Sequence, residues 1–351
     1  MKIKILSSFL LTLFVSVTAF CQTYLVQVKP ATGKVWGYAN EKGEVVIKPQ
    51  FEKCWEFNSS GLAVIYDGSV KQFYAINTKG EKLNTEIKDF KVIEGFFGAD
   101  LKGFQDGMLA VKKGDKWGFL NSEGKLAIPL KYDNVNDFNG GYAPAASGSK
   151  YVIVNKKGEE TPLETAVGEL KDFSEGLAPF RTNDKKFGYM SEAGKVAIPA
   201  QFESVGYFKQ GIAWAKTPDK KVGYINTKGE WIIKPVYEAG KDFDQESGLA
   251  RVKGKDKWSY VTKSGEAVEL KDTEIFEDFS EGLAKGRKNG KFGFLNSKGE
   301  WVIKPELDGA RSFVNGYSAA KKGDNWGMID KSGKWVIEPI YDGIKDFAQI
   351  K

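Results

Sequence analysis

The 351-residue sequence contains no histidine. That absence removes Ser-His-Asp and Cys-His nucleophilic catalysis, and with them every histidine-based metal site, including the usual catalytic zinc sets. Cysteine is almost as scarce, at two residues, Cys21 and Cys54. If the leader described below is removed, only Cys54 stays, and an intramolecular disulfide is excluded even in an oxidising compartment. A lone cysteine is more often a small buried hydrophobe than a reactive thiol. No Gly-rich phosphate loop opens a helix, because helical periodicity is hardly present. Nothing in the sequence calls for a cofactor or a metal, and no catalytic residue stands out.

Long apolar runs are also missing, with one exception at the start. Met1, Lys2 and Lys4 give a basic end, and residues 5–20 are largely apolar but too short for a stable membrane span. Ala19 and Cys21 before Gln22 fit a small-x-small cleavage site. Residues 1–21 therefore read as a signal peptide and residues 22–351 as the exported chain, in the periplasm, at the cell surface or secreted. A lipid anchor on Cys21 is the rival reading, and bulky Phe20 counts against it. Removing the leader lowers the formal charge from +6 to +4. The remaining lysines alternate with acids along the chain, which is no nucleic-acid footprint.

What the sequence does have is self-similarity. An aromatic-Gly-aromatic-aliphatic-Asn-x-x-Gly motif appears as WGYANEKG from Trp36, WGFLNSEG from Trp117, FGYMSEAG from Phe187, VGYINTKG from Val222, FGFLNSKG from Phe292 and WGMIDKSG from Trp326. Degenerate copies start at Phe73, Tyr151 and Trp258. The closing glycines, Gly43, Gly80, Gly124, Gly158, Gly194, Gly229, Gly265, Gly299 and Gly333, are spaced by 37, 44, 34, 36, 35, 36, 34 and 34 residues. A Phe-x-x-Gly-Leu-Ala block precedes most copies, and a V-I-x-P block such as EWVIKP follows them. The order never changes.

Each block has a local physical reading. The Trp-Gly segment, with Gly37, Gly118, Gly188, Gly223, Gly293 and Gly327 in second place, alternates like a short buried strand. Asn-x-x-Gly is a hairpin turn, since Asn bonds its own backbone and Gly takes positive φ. V-I-x-P is the return strand, which the proline is expected to end. The Phe block turns the chain into the next unit with Phe as an anchor. The unit is thus a three-stranded antiparallel meander, and the fold class is all-β, a tandem array of nine such units.

With these motifs the chain resembles the WG-repeat, or KWG-repeat, family of bacterial proteins. That resemblance implies a β-rich array, often exported, with no family catalytic residues to carry over. Units two, four and seven depart from the pattern, with EKLNTEI, EETPLET and EAVEL in place of the V-I-x-P strand.

Nine short units favour an open, twisted, solenoid-like array, with a closed β-propeller-like ring as the alternative. Acids recur before the Phe anchors, at Asp89, Asp137, Asp172, Asp242, Asp278 and Asp346, and read as turn-forming side chains rather than a catalytic ladder. The tryptophans Trp36, Trp117, Trp258 and Trp326 read as core filling, because Val222 occupies an equivalent place. The stretch near 88–103 is an insertion whose Phe96 and Phe97 are candidates for a ligand-binding loop. The expected function is a non-enzymatic binding or scaffolding module for a protein, peptide or glycan at the cell envelope. The alternatives are a carboxylate-based glycan hydrolase and a purely structural envelope spacer.

Overall fold

The structure is a computed structural model that describes residues 23–93, 103–255, 257–268 and 273–350. Residues 1–21, and Phe96 and Phe97 of the insertion, lie outside the described residues. The described chain is all β, nine antiparallel units, here called blades, that form eight sheets because the first and last blades join in one eight-stranded sheet; among the described residues no helix is long and apolar enough to cross a membrane.

Turn chemistry sets each blade. In blade 1 the Asn40 side-chain oxygen accepts the N–H groups of Lys42 and Glu44, both at 3.0 Å, while its amide donates to the Glu44 carboxylate. Gly43 closes the turn at φ +77. The same Asn-to-Glu pattern repeats at Asn77, Asn155, Asn226 and Asn296.

The Trp-Gly and I-x-P motifs are two halves of one contact. The strand after the turn carries extra residues around its proline, so that in blade 3 Ile128 faces Phe119 while Tyr132 faces Trp117. This bulge pushes the Ile128 carbonyl over Gly118, where a Cβ would lie 2.5 Å from the oxygen. The same clash, at 2.4–2.5 Å, faces a Cβ at Gly37, Gly188, Gly223, Gly293 and Gly327. In units two, four and seven Tyr74, Val152 and Ser259 stand in the glycine's place. In units two and four the following strand has no bulge over it and pairs for only a few residues; in unit seven the described pairing is Tyr260 with Val268 and Val261 with Ala267. Contrary to expectation, the proline does not end the ladder: Val45–Phe51 runs on past Pro49.

Each blade also has a strand that the sequence pattern did not reveal. Two residues just after the I-x-P strand, such as Asn134–Val135 or Ser204–Val205, pair with the Leu-Ala strand and lead into the Phe block. Blade 4 therefore runs Asn134–Val135, Tyr142–Ser147, Lys150–Asn155, Glu160–Pro162. The meander of three long strands is borne out, with this short first strand added.

The blades pack face to face. Phe57, Phe138, Phe208, Phe243, Phe279 and Phe313 each lie against the aromatic ring nineteen residues earlier in the preceding blade, with centroids 4.6–4.9 Å apart. The described core divides into nine apolar clusters, each shared by two neighbouring blades. An open row of nine units has eight such interfaces; the ninth joins blade 9 to blade 1.

That ninth interface is closed by strand pairing. Val28 and Lys29 pair with Ile344 and Gly343, and Thr23–Leu25 pairs with Ala348–Ile350. The C-terminal residues thus supply the short first strand of blade 1. Val26 and Val28 are buried with Met328, Ile337 and Phe347, and Gly43 sits over Ile337 as Gly80 sits over Ile47. Of the two arrangements open to the tandem array, this pairing selects the closed ring over the open solenoid. The final segment KDFAQI begins no further unit; it completes the first one.

Candidate axial cleft

The short first strands line the inside of the ring. First-strand and turn residues of four consecutive blades, 5 to 8, border a single cleft of about 760 Å³, which they reach together only by converging on the axis. Neighbouring inner strands are also stitched directly. Ser174 Oγ donates to the Phe208 carbonyl at 2.6 Å, Ser280 Oγ to that of Phe313 at 2.7 Å, and Asn315 to that of Phe347 at 2.7 Å.

The Phe-x-x-Gly blocks form the rim of this cleft as tight two-residue turns. Asp106-Gly107, Glu175-Gly176, Gln210-Gly211, Glu281-Gly282 and Asn315-Gly316 have positive φ at both positions, the mirror-image turn that suits twisted hairpins. Carboxylates on these turns cap the next blade. Glu175 accepts the N–H groups of Gln210 at 2.5 Å and Gly211 at 2.8 Å, and Glu281 accepts that of Gly316 at 2.8 Å. Blade 7 has a longer turn, in which Asp244 accepts from Ser247 at 2.8 Å and from Gly282 at 3.0 Å.

Because the Phe anchors point between blades, the residue before each takes the opposite side of the inner strand. Asp242 pairs there with Lys209 of the preceding blade at 2.8 Å, Asp278 with Arg251 at 2.5 Å, and Asp346 with Arg311 at 3.6 Å. Asp242, Asp278 and Asp346 thus meet side-chain cations across blade boundaries rather than turning the chain. Asp89 is not one of the set: it sits at φ +57 on the connection into blade 3 and accepts from the Gln72 amide. Glu56, before Phe57, does belong, and its signal was the repeat position itself. Burial raises its carboxyl pKa, and Asp346 beside it adds to the shift.

Within the cleft, Trp214 lies against the inner strand of its own blade, its Nε1 2.4 Å from where a Cβ on Gly206 would stand. Exposed Lys209, Lys241, Gln210 and Gln245 surround it together with Asp242 and Asp278. The cleft thus offers donors, acceptors and both charges around one aromatic face. Among the described residues no cluster of three or more acids or cysteines could hold a metal.

The other candidates lie elsewhere. Trp36, Trp117, Trp258 and Trp326 are half-buried at the starts of third strands. Lys29 and Lys345 lie over Trp36 at 5.7 Å, Lys112 over Trp117 at 5.7 Å, and Arg251 over Trp258 at 4.7 Å. Trp117 and Trp326 pack against the apolar clusters between blades, and none of the four lines the cleft. Cys54 is half-buried beside Tyr38, and burial pushes its thiol up to about 12, a poor nucleophile at neutral pH.

Nine antiparallel blades closed around a polar axial cleft define a propeller-type repeat protein. The family model described as WG containing repeat matches residues 36–68, 100–117, 117–151, 187–220, 223–258, 292–326 and 326–349. The chain belongs to the WG-repeat family. No curated protein matches it. Among solved structures, one described as the eukaryotic initiation factor is 12% identical, covers 93% of this chain and 98% of its own, and has a TM-score of 0.58. BamB from Moraxella catarrhalis is 10% identical with 88% of each chain covered and a TM-score of 0.40. The WD40 beta propeller domain of Doa1 is 12% identical over 62% of this chain and 83% of its own, at 0.33. At such identities the first likeness shows the fold alone, and the two lower scores add nothing to it.

Proposed function

We propose that this protein is a non-enzymatic binding module, exported after removal of residues 1–21, that holds a polar peptide or glycan in its axial cleft at the cell envelope. The observation that carries the reading is the cleft itself: three of its four bordering blades bring Lys209, Lys241, Asp242 and Asp278 around Trp214, a mixture that recognises polar groups beside an apolar face. The absence of histidine supports it, as does the use of Asp242 and Asp278 in ion pairs across blades. A glycoside hydrolase needs one carboxyl free to give its proton and another free to attack or to activate water.

The test is a panel of soluble glycans and peptides, scored for both binding and turnover. Binding without turnover, weakened at least tenfold by Trp214→Ala, is the expected result. Turnover abolished by Asp242→Asn or Asp278→Asn would overturn the non-enzymatic reading in favour of the hydrolase. Export is checked separately, by mass spectrometry of the protein secreted from a bacterial host, where a chain beginning at Gln22 is expected.

A further inference from the structure

Blades 2 and 4 send their outer strand away early. In blade 2 the strand after Gly80 bridges only Ile76 with Lys82, and Leu83 donates to the Ala75 carbonyl. The chain then crosses to blade 3, where the Glu86 N–H donates to the Gly124 carbonyl at 2.8 Å and the Glu86 carboxylate accepts the Leu126 N–H at 2.7 Å. Glu164 makes the same two contacts from blade 4 to Gly194 and Val196.

Among the described residues the diversion leaves half a strand without an outer partner. In complete blades Trp36 faces Phe51, and Trp117 faces Tyr132, on an outer strand. Among the described residues no outer strand pairs with Gln72–Tyr74, the corresponding start of blade 2's third strand. Beside that edge lies a cleft of about 610 Å³.

Its chemistry is one-sided. The rings of Tyr66 and Phe73 stand 5.0 Å apart on one side, and Trp117 closes the other. Val70 on the lip is 57% exposed. Lys71 and Lys91 are exposed beside them, and Lys112 lies over Trp117. The acid in this lining is Asp89, which already accepts from the Gln72 amide.

We propose that this cleft binds an extended peptide with acidic side chains flanking a central apolar one, added to blade 2 as its missing outer strand. Main-chain bonds to an open strand edge supply affinity, and a pocket for alternate side chains supplies selectivity. The aromatic walls take the apolar side chain, and the three lysines select acids over bases. A glycan would stack on the rings but leave the strand edge unused. This site is separate from the axial cleft and stands or falls independently of it.

The probe is the capped peptide Glu-Val-Glu-Phe-Glu-Val-Glu, titrated calorimetrically against the protein and followed by amide hydrogen exchange. Binding is expected to slow exchange in residues 72–75 and to weaken at least tenfold in a Lys71→Glu, Lys112→Glu double variant whose circular dichroism is unchanged. A peptide with proline after its Phe, which lacks one N–H for the ladder, is expected to lose at least tenfold as well. The proposal is overturned if the peptide does not bind or if protection falls in residues 206–245 of the axial cleft. Equal affinity for the proline peptide or for the Lys-Val-Lys-Phe-Lys-Val-Lys counterpart overturns it too.

Discussion

At the scale of single residues, the ring is held by groups that must stay protonated. Tyr38, Tyr189 and Tyr224 each donate a hydroxyl proton to a carbonyl of the next blade, at 2.6, 2.7 and 2.8 Å, and Tyr260 does the same. Burial raises the pKa of all four phenols above the usual value, and that of Cys54 as well, to about 12. An acid whose pKa is higher folded than unfolded keeps more protons in the folded state. The stability it contributes is therefore complete below the unfolded pKa and is lost as pH rises through the folded one. Urea midpoints should hold between pH 7 and 8.5, then fall steadily from about pH 9 upward, where unfolded thiols and phenols begin to ionise. A midpoint at pH 11 equal to that at pH 7 would contradict this. The phenols were visible in the repeat at the third place of its motif; their acceptors, seventeen residues on, were not, because they lie at or just past the short first strand, which leaves no hydrophobic pattern.

At the scale of the element, the family signature is a packing constraint between two strands. Glycine follows the aromatic because a bulged strand crosses it, and the bulge follows from the I-x-P segment. Gly118→Ala should cost about 2–3 kcal/mol, the scale of an overpacked core site, since the atom it meets is the Ile128 backbone oxygen. Ser259→Ala, at the same place in blade 7, should cost less than about 0.5 kcal/mol, because a half-buried side chain larger than alanine already stands there. Denaturant melts of both variants check the pair, and equal losses would sink the coupling. The coupled loss of glycine and proline in units two, four and seven was legible in the sequence as a departure. Its consequence in blades 2 and 4, an outer strand diverted onto the next blade, was not, because it depends on where Gly124 and Gly194 present their carbonyls.

At the scale of the whole molecule, the repeats said how many blades there are but not how their ends meet. Three-strand units near 35 residues suggested an open row, since the terminal KDFAQI looked like a beginning cut short. Its pairing with Thr23–Pro30 is a contact between segments more than three hundred residues apart, which local patterning does not encode. The axial cleft was hidden for the same reason: its lining residues are ordinary repeat positions until the inner strands converge. A ring of this length should have a radius of gyration of about 20 Å. Deleting residues 343–350 should enlarge it and lower the midpoint of thermal unfolding, as scattering and calorimetry would show. An unchanged radius and midpoint in the deleted protein would mean that the terminal pairing contributes nothing.

The closure also imposes an order in time. A ribosome makes Thr23–Pro30 among the first residues of the described chain and Gly343–Ile350 among the last, so blade 1 waits through nearly the whole of synthesis for its innermost strand. The eight blades between can form as they emerge, each leaning on the one before, while the first keeps an open edge. That edge stays free to pair for as long as the chain is growing, and it disappears once the last strand docks.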